Sequence, residues 1–145
     1  MRYQQSVIVK SIDLVKARDT FNDIKFLKYL ISYQPVKIVE WEGTFDGAIA
    51  HMRFWFFGWK DFRVEHGDNY KDEYSFSFKD HGIKLPFGLK QWVHEHIVIK
   101  RGRNIEIIDK IIFSGNNKLI LLMIYPILIA PIFLRKVLYH TYSWG

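Results

Sequence analysis

The hydrophobic pattern of the chain changes period as it runs. Ser6–Ile12 alternates imperfectly around Val7 and Val9 and predicts a first strand. Beyond Asp13, which suits a helix N-cap, apolar residues from Leu14 to Ile31 recur at threes and fours. That spacing predicts one broken helix, or two short helices meeting near Asp19–Asn22, with Pro35 marking the exit. The period then becomes two. Lys37–Phe45 and Ala48–Phe57 are strands joined by the hairpin signal Asp46-Gly47, and the second sets Ala50, Met52, Phe54 and Phe56 on one face. Asp61–His66 sets Phe62, Val64 and His66 together; Gly67-Asp68-Asn69 is read as a turn, after which Tyr74, Phe76 and Phe78 continue the apolar face. Two glycines and a proline within Lys79–Lys90 predict an irregular loop. Gln91–Lys100 and Asn104–Phe113 resume the alternation around an Arg101-Gly102-Arg103 hairpin loop, and a last helix starts near Ser114–Asn117 and runs to about Tyr142.

Meandering strands between two helical regions describe an α+β domain, an antiparallel sheet whose apolar face is covered by helices. With 145 residues the chain has room for one substantial core, so residues 1–145 are read as a single domain. The aromatic share of 17% fits both strand packing and an apolar pocket. A net charge of +6 favours anionic partners or surfaces, but the basic residues are dispersed and no nucleic-acid recognition element gathers them, so no nucleic-acid partner is expected. With no cysteine, disulfides, thiolate metal sites and cysteine nucleophiles are excluded. The first ten residues lack the apolar stretch of a signal peptide, which makes a cytoplasmic location the expectation.

Leu119–Leu134 is uncharged throughout and apolar on nearly every side. It is shorter than the roughly 20 residues of a bilayer span and is interrupted by Pro126 and Pro131. Such a helix predicts burial between layers, with contact at a membrane surface as the alternative.

The polar candidates lie on the last two strands. In Asn104–Phe113 the more apolar face carries Ile105, Ile107, Ile111 and Phe113, and Asp109 goes inward with them. A buried carboxylate must be hydrogen-bonded, paired or protonated. In Gln91–Lys100, placing Glu95 outside turns Trp92, His94 and His96 inward, beside Asp109 on the paired strand. A histidine there could donate one ring N–H to the carboxylate and present its other nitrogen to a ligand; a satisfied network fixing strand register is the alternative. His94-x-His96, with Asp109 as a third ligand, is a weak metal pattern, and no metal or cofactor is expected. His66 faces the same interior, while His51 and His81 are expected at the surface. Neither a nucleophile elbow nor a glycine-rich phosphate loop occurs.

Three pieces of the chain resemble the START-like, or SRPBCC, ligand-binding superfamily, in particular its small bacterial polyketide cyclase/dehydrase-like and cell-division-inhibitor-like branch. They are Glu42-Gly43-x-Phe45 with Met52–Gly58, Trp92-x-His94-x-His96, and Asp109 ahead of a long helix holding Tyr125-Pro126 and Phe133-x-Arg135-Lys136. The resemblance implies a helix-grip fold, a curved antiparallel sheet around a long C-terminal helix with two short helices after the first strand. It also implies a deep apolar cavity, which the inward strand faces read above would line with Phe54, Phe56, Phe62, His66, Tyr74, Phe76, Trp92, His94, His96 and Asp109. Non-catalytic binding of a small hydrophobic ligand is the leading expectation. The alternatives are a cyclase- or dehydratase-like enzyme using a His–Asp pair, and a ligand-free interaction module at a membrane surface. The two prolines are expected to kink the gripping helix.

Overall fold

A computed structural model describes the whole chain, Met1–Gly145. Its elements are β1 (Arg2–Val9), α1 (Leu14–Asn22), α2 (Ile24–Leu30), β2 (Val36–Trp41), β3 (Ile49–Trp55), β4 (Trp59–Lys71), β5 (Ser75–Lys84), β6 (Leu89–Arg101), β7 (Asn104–Gly115) and α3 (Lys118–Thr141). The strands form one antiparallel sheet in the order β1-β7-β6-β5-β4-β3-β2, so α1 and α2 carry the chain from one edge to the other. The helical stretch is broken by a shared cap. Asp23 ends α1 through its N–H to Thr20 O and opens α2 by accepting from the Lys25 N–H.

The alternation read in the last two strands holds. On β7, Ile105, Ile107, Asp109, Ile111 and Phe113 are buried; on β6, Trp92, His94, His96 and Val98 are buried. β1 runs Arg2–Val9 and not Ser6–Ile12, which brings Gln5 inside beside Val7 and Val9. Gly67-Asp68-Asn69 is no turn. β4 continues through it with a bulge between Gly67 and Tyr70, and the Asn69 amide pins the bulge to Thr44 O and Asp46 Oδ1. The turn falls later, where Asp72 Oδ1 accepts from the backbone N–H groups of Tyr74 and Ser75. Lys79–Lys90 is likewise mostly strand, since β5 runs to Lys84. Gly82 lies within it, and a Cβ there would meet the Leu85 side chain at 2.5 Å.

Two apolar clusters fill the space between sheet and helices. One gathers Phe21, Phe26, Phe78, Ile107, Tyr139 and Trp144 with their neighbours; the other gathers Trp92, Ile111, Phe113 and the α3 residues Leu121, Leu128 and Ile132. Trp144 folds back on the end of α3, donating from Nε1 to Tyr139 O (2.8 Å) and packing on Phe26. α3 continues through Pro126 and Pro131. Burial of α3, however, is confined to one stripe; Leu119, Leu122, Met123, Phe133 and Val137 are exposed, against the expectation of a helix enclosed between layers.

Candidate functional site

A belt of polar side chains crosses the sheet at one level and separates the two apolar clusters. Strand register builds it. Gln5, Asp109 and His96 are direct neighbours across β1, β7 and β6, and His94, Asp80 and His66 are direct neighbours across β6, β5 and β4. On each strand the belt residue takes an inward position of the period-two pattern, between apolar residues such as Ile107 and Ile111 on β7.

Asp109, with no exposed surface, is the hub. It accepts from His94 Nε2 at 2.8 Å, Tyr139 OH at 3.0 Å and Gln5 Nε2 at 3.2 Å, and Arg135 Nη1 stands 3.9 Å away. Arg135 and Tyr139 lie four apart on α3 and so share the face turned to the sheet. The Gln5 amide also donates to Ile132 O at 2.7 Å, which ties β1 to the same helix. Burial works against ionisation of Asp109, but the His94 hydrogen bond and the charge of Arg135 outweigh it and hold the carboxyl below its usual range.

Asp80 is the second hub. Its Oδ2 lies 2.9 Å from His96 Nε2 and 3.8 Å from His94 Nδ1. His66 Nε2 is 3.1 Å from Oδ1 without the alignment of a hydrogen bond, so this buried oxygen has no donor; His96 Nδ1 has no partner either. Burial opposes the charge on Asp80, yet the neighbouring His96 and His66 keep its carboxyl well below the ordinary value. Burial would lower His66, and Asp80 reverses this and raises it. His94 is lowered to about 4 by burial and by the adjacent His96, whose ring centroid is 3.8 Å away.

The structure redistributes the ligand-lining residues expected from sequence. His66 and His96 border a small inner cavity of about 60 Å³, together with Asp80, Arg135 and apolar side chains of α1, α2 and the sheet. Trp92, His94 and Asp109 are buried but do not border it. Phe62 packs edge-on against Trp92, and Phe54 and Phe56 pack against Phe87. Tyr74 sits 66% exposed in the turn before β5, because the apolar alternation was extended one residue past the strand start. His51, expected at the surface, is half-buried and paired with Asp61 at 2.8 Å. A larger groove of about 410 Å³ lies outside, between α1, the Thr44–Asp46 segment and the β4 bulge; Phe21, Thr44 and Phe78 wall both spaces, and Phe76 borders the groove. A cavity of 60 Å³ is far smaller than the roughly 300–1,000 Å³ of an ordinary small-molecule pocket, so the deep chamber expected from sequence is largely filled by aromatic side chains.

Sequence reasoning missed Asp80, Arg135, Tyr139 and Gln5. Asp80 was hidden in the supposed loop. Arg135 and Tyr139 carry a readable signal, a cation and a phenol at i, i+4 just beyond the apolar run.

Solved structures share this architecture. Norcoclaurine synthase from Thalictrum flavum superposes with a TM-score of 0.66 at 14% identity, over 95% of this chain and 83% of that one. An aromatase/cyclase from a Streptomyces species gives 0.63 at 10% identity, covering 95% and 90%. Protein Ms6760 from Mycobacterium smegmatis gives 0.66 at 10% identity, covering 95% and 87%. The chain has the helix-grip fold of these structures. At these identities the likeness is one of fold. No family model matches the sequence, and no curated protein matches it. Within the helix grip, the belt lies between sheet and gripping helix.

The belt makes stability depend on pH in a defined direction. Metal-free folded protein keeps His94 neutral down to about pH 4, whereas the unfolded chain takes up that proton near pH 6.5. Stability therefore falls as pH drops through this window, by on the order of 3 kcal/mol from His94. His66, with its raised pKa, acts with the opposite sign: its contribution is complete below its unfolded value and is lost as pH rises through the folded one. Urea unfolding of His94→Gln should lose most of the acid-side decline between pH 6.5 and 4; an unchanged decline contradicts the buried neutral assignment.

Proposed function

We propose that the protein binds a small, mostly apolar ligand carrying one polar group, held between the sheet and the helices. The observation that carries this reading is the inner cavity together with the outer groove of about 410 Å³ that shares its Phe21 wall: the cavity is mainly apolar, Asp80, His66 and His96 meet in one of its walls, and Arg135 also borders it. A site of that kind orients a ligand through a few polar contacts while burial of apolar surface supplies most of the affinity. Phe21 closes α1 over the wall shared with the outer groove, so movement of this ring would join the two spaces. The solved structures of the same fold include proteins named as a synthase and an aromatase/cyclase. Acid–base chemistry here would use His96 and Asp80, which border the cavity, in place of His94 and Asp109, which do not.

Native mass spectrometry of freshly purified protein, with solvent extraction of the bound fraction, tests the binding reading. A stoichiometric apolar molecule is expected, and Phe21→Ala should change the exchange rate of an apolar fluorescent probe by severalfold or more. Absence of any carried molecule, with no response to a panel of fatty acids and other apolar probes, would overturn it.

A second reading, peripheral contact with an anionic membrane, is supported by one end of the molecule. The β3–β4 tip exposes Phe57 at 82%, and the first turns of α3 expose Leu119 and Met123, each at 67%. Phe87 links them: it packs on Phe56, and Gly88 beside it faces Gly115, whose other neighbour is Leu121 at the start of α3. Phe57 and Phe87 both hold left-handed backbone, at φ 51 and 58, a strained conformation for an aromatic residue. Lys84, Lys90 and Lys118 are exposed among these elements and complement anionic headgroups. Flotation with phosphatidylglycerol vesicles should recover the protein, less so with phosphatidylcholine alone, and Phe57→Ser with Met123→Ser should abolish recovery. A stable dimer that ignores both vesicle types would assign the surface to a second copy and overturn the membrane reading.

A further inference from the structure

The ring nitrogens of the belt can be assigned by what they face. His66 Nδ1 lies 3.0 Å from the Ala48 carbonyl, which only accepts, so Nδ1 carries a proton. His94 Nε2 lies 2.8 Å from the Asp109 carboxylate and carries the proton of that neutral ring. The remaining nitrogens, His66 Nε2 and His94 Nδ1, both turn to Asp80, at 3.1 Å from Oδ1 and 3.8 Å from Oδ2. His96 Nε2 reaches the same carboxylate at 2.9 Å. In their neutral forms the His66 and His94 rings turn lone pairs toward an anion inside the protein, and Asp80 Oδ1 has no aligned hydrogen-bond donor. This arrangement calls for a cation, either an extra proton on a histidine or a metal ion.

We propose that Asp80, His94 and His96 form a binding site for a divalent transition metal of zinc-like character. One ligand atom from each lies within 4.8 Å of the others. A tetrahedral zinc sets its ligand atoms about 3.3 Å apart, and the separations of His96 Nε2 and His94 Nδ1 from Asp80 Oδ2, 2.9 and 3.8 Å, bracket that spacing. Imidazole nitrogen and carboxylate oxygen suit zinc and its neighbours in the first transition row. The supporting groups are also in place. Asp109 accepts from His94 Nε2 and so backs that ligand ring, and it stands 3.6 Å from His96 Nδ1. In this role Asp109 is a positioning residue, not the ligand that the spacing of the sequence suggested. His66 Nε2 is the nearest further donor, and the inner cavity bordered by Asp80, His96 and His66 gives the remaining coordination position room for a small molecule. Three protein ligands with a position left for an exogenous group is the pattern of a reactive, not a purely structural, zinc.

Metal uptake is measured with no apolar ligand present, so its failure and the failure of the ligand-binding reading are distinguishable. Chelator-stripped wild-type protein, shown to be folded by circular dichroism, is titrated with Co2+ while visible absorption is followed; Zn2+ then competes. One equivalent of Co2+, displaced by one of Zn2+, is expected. Asp80→Asn and His96→Gln should weaken binding at least 100-fold and Asp109→Asn about 10–100-fold, with the exposed His81→Gln unchanged. Folded wild-type protein that takes up neither metal below about 100 µM overturns the proposal, whatever the variants do. So does wild-type affinity in folded Asp80→Asn. Where that variant does not fold, His96→Gln at wild-type affinity has the same force.

Discussion

The burial of the Asp109 carboxylate is the constraint from which the rest of the molecule follows. A charge with no exposed surface is destabilising unless donors surround it, and its donors come from three separate parts of the chain. His94 arrives from β6, Gln5 from β1, and Tyr139 with Arg135 from α3. A one-residue slip of β1 or β6 would turn its donor to the opposite face, and a quarter-turn of α3 would remove two. The carboxylate thus specifies the register of the sheet edge and the rotation of the gripping helix together. Hydrophobic packing supplies the bulk of the stabilisation on both sides of it, but apolar contact is non-directional and does not choose among such alternatives.

Seen from the belt, the two apolar clusters have different tasks. The cluster with Phe21, Phe26 and Trp144 closes α1, α2 and the C-terminal tail over one end. The other seats α3 on β6 and β7, and it uses only one stripe of that helix. Between them the interior narrows to a space that aromatic rings and the belt nearly fill. A helix grip built this way has its polar groups concentrated at one level of the interior, with Asp80, His66 and His96 on the cavity side and Asp109 behind them.

Much of this was legible in the sequence, and the failures have physical causes. Period-two alternation on β7 identifies Asp109 as inward, and on β6, where both faces are apolar, the charge of Glu95 decides that His94 and His96 are inward. Asp80 lies on β5, where the burial alternation ends at Phe78, and Gly82, Pro86 and Gly88 crowd the sequence after it with turn-forming residues. Gly82 serves close approach to Leu85, not a turn. Gln5 lay outside the predicted bounds of β1, where a short edge strand gives little periodicity to read. The cavity was overestimated because aromatic content alone does not distinguish rings that line a space from rings that fill it. The exposed side of α3 was misjudged because all-round hydrophobicity states that a helix avoids water without stating which surface covers it.

The central claim, that the belt is an ordered acid–base arrangement hinged on Asp109, is tested most directly by histidine side-chain 1H–15N correlation spectra of the metal-free protein across pH. The arrangement predicts a neutral His94 ring protonated on Nε2 at pH 7, with no titration until near pH 4, and a His66 ring protonated on Nδ1 throughout. A His94 that titrates near 6.5 as in an unfolded chain, or one that carries its proton on Nδ1, would contradict it.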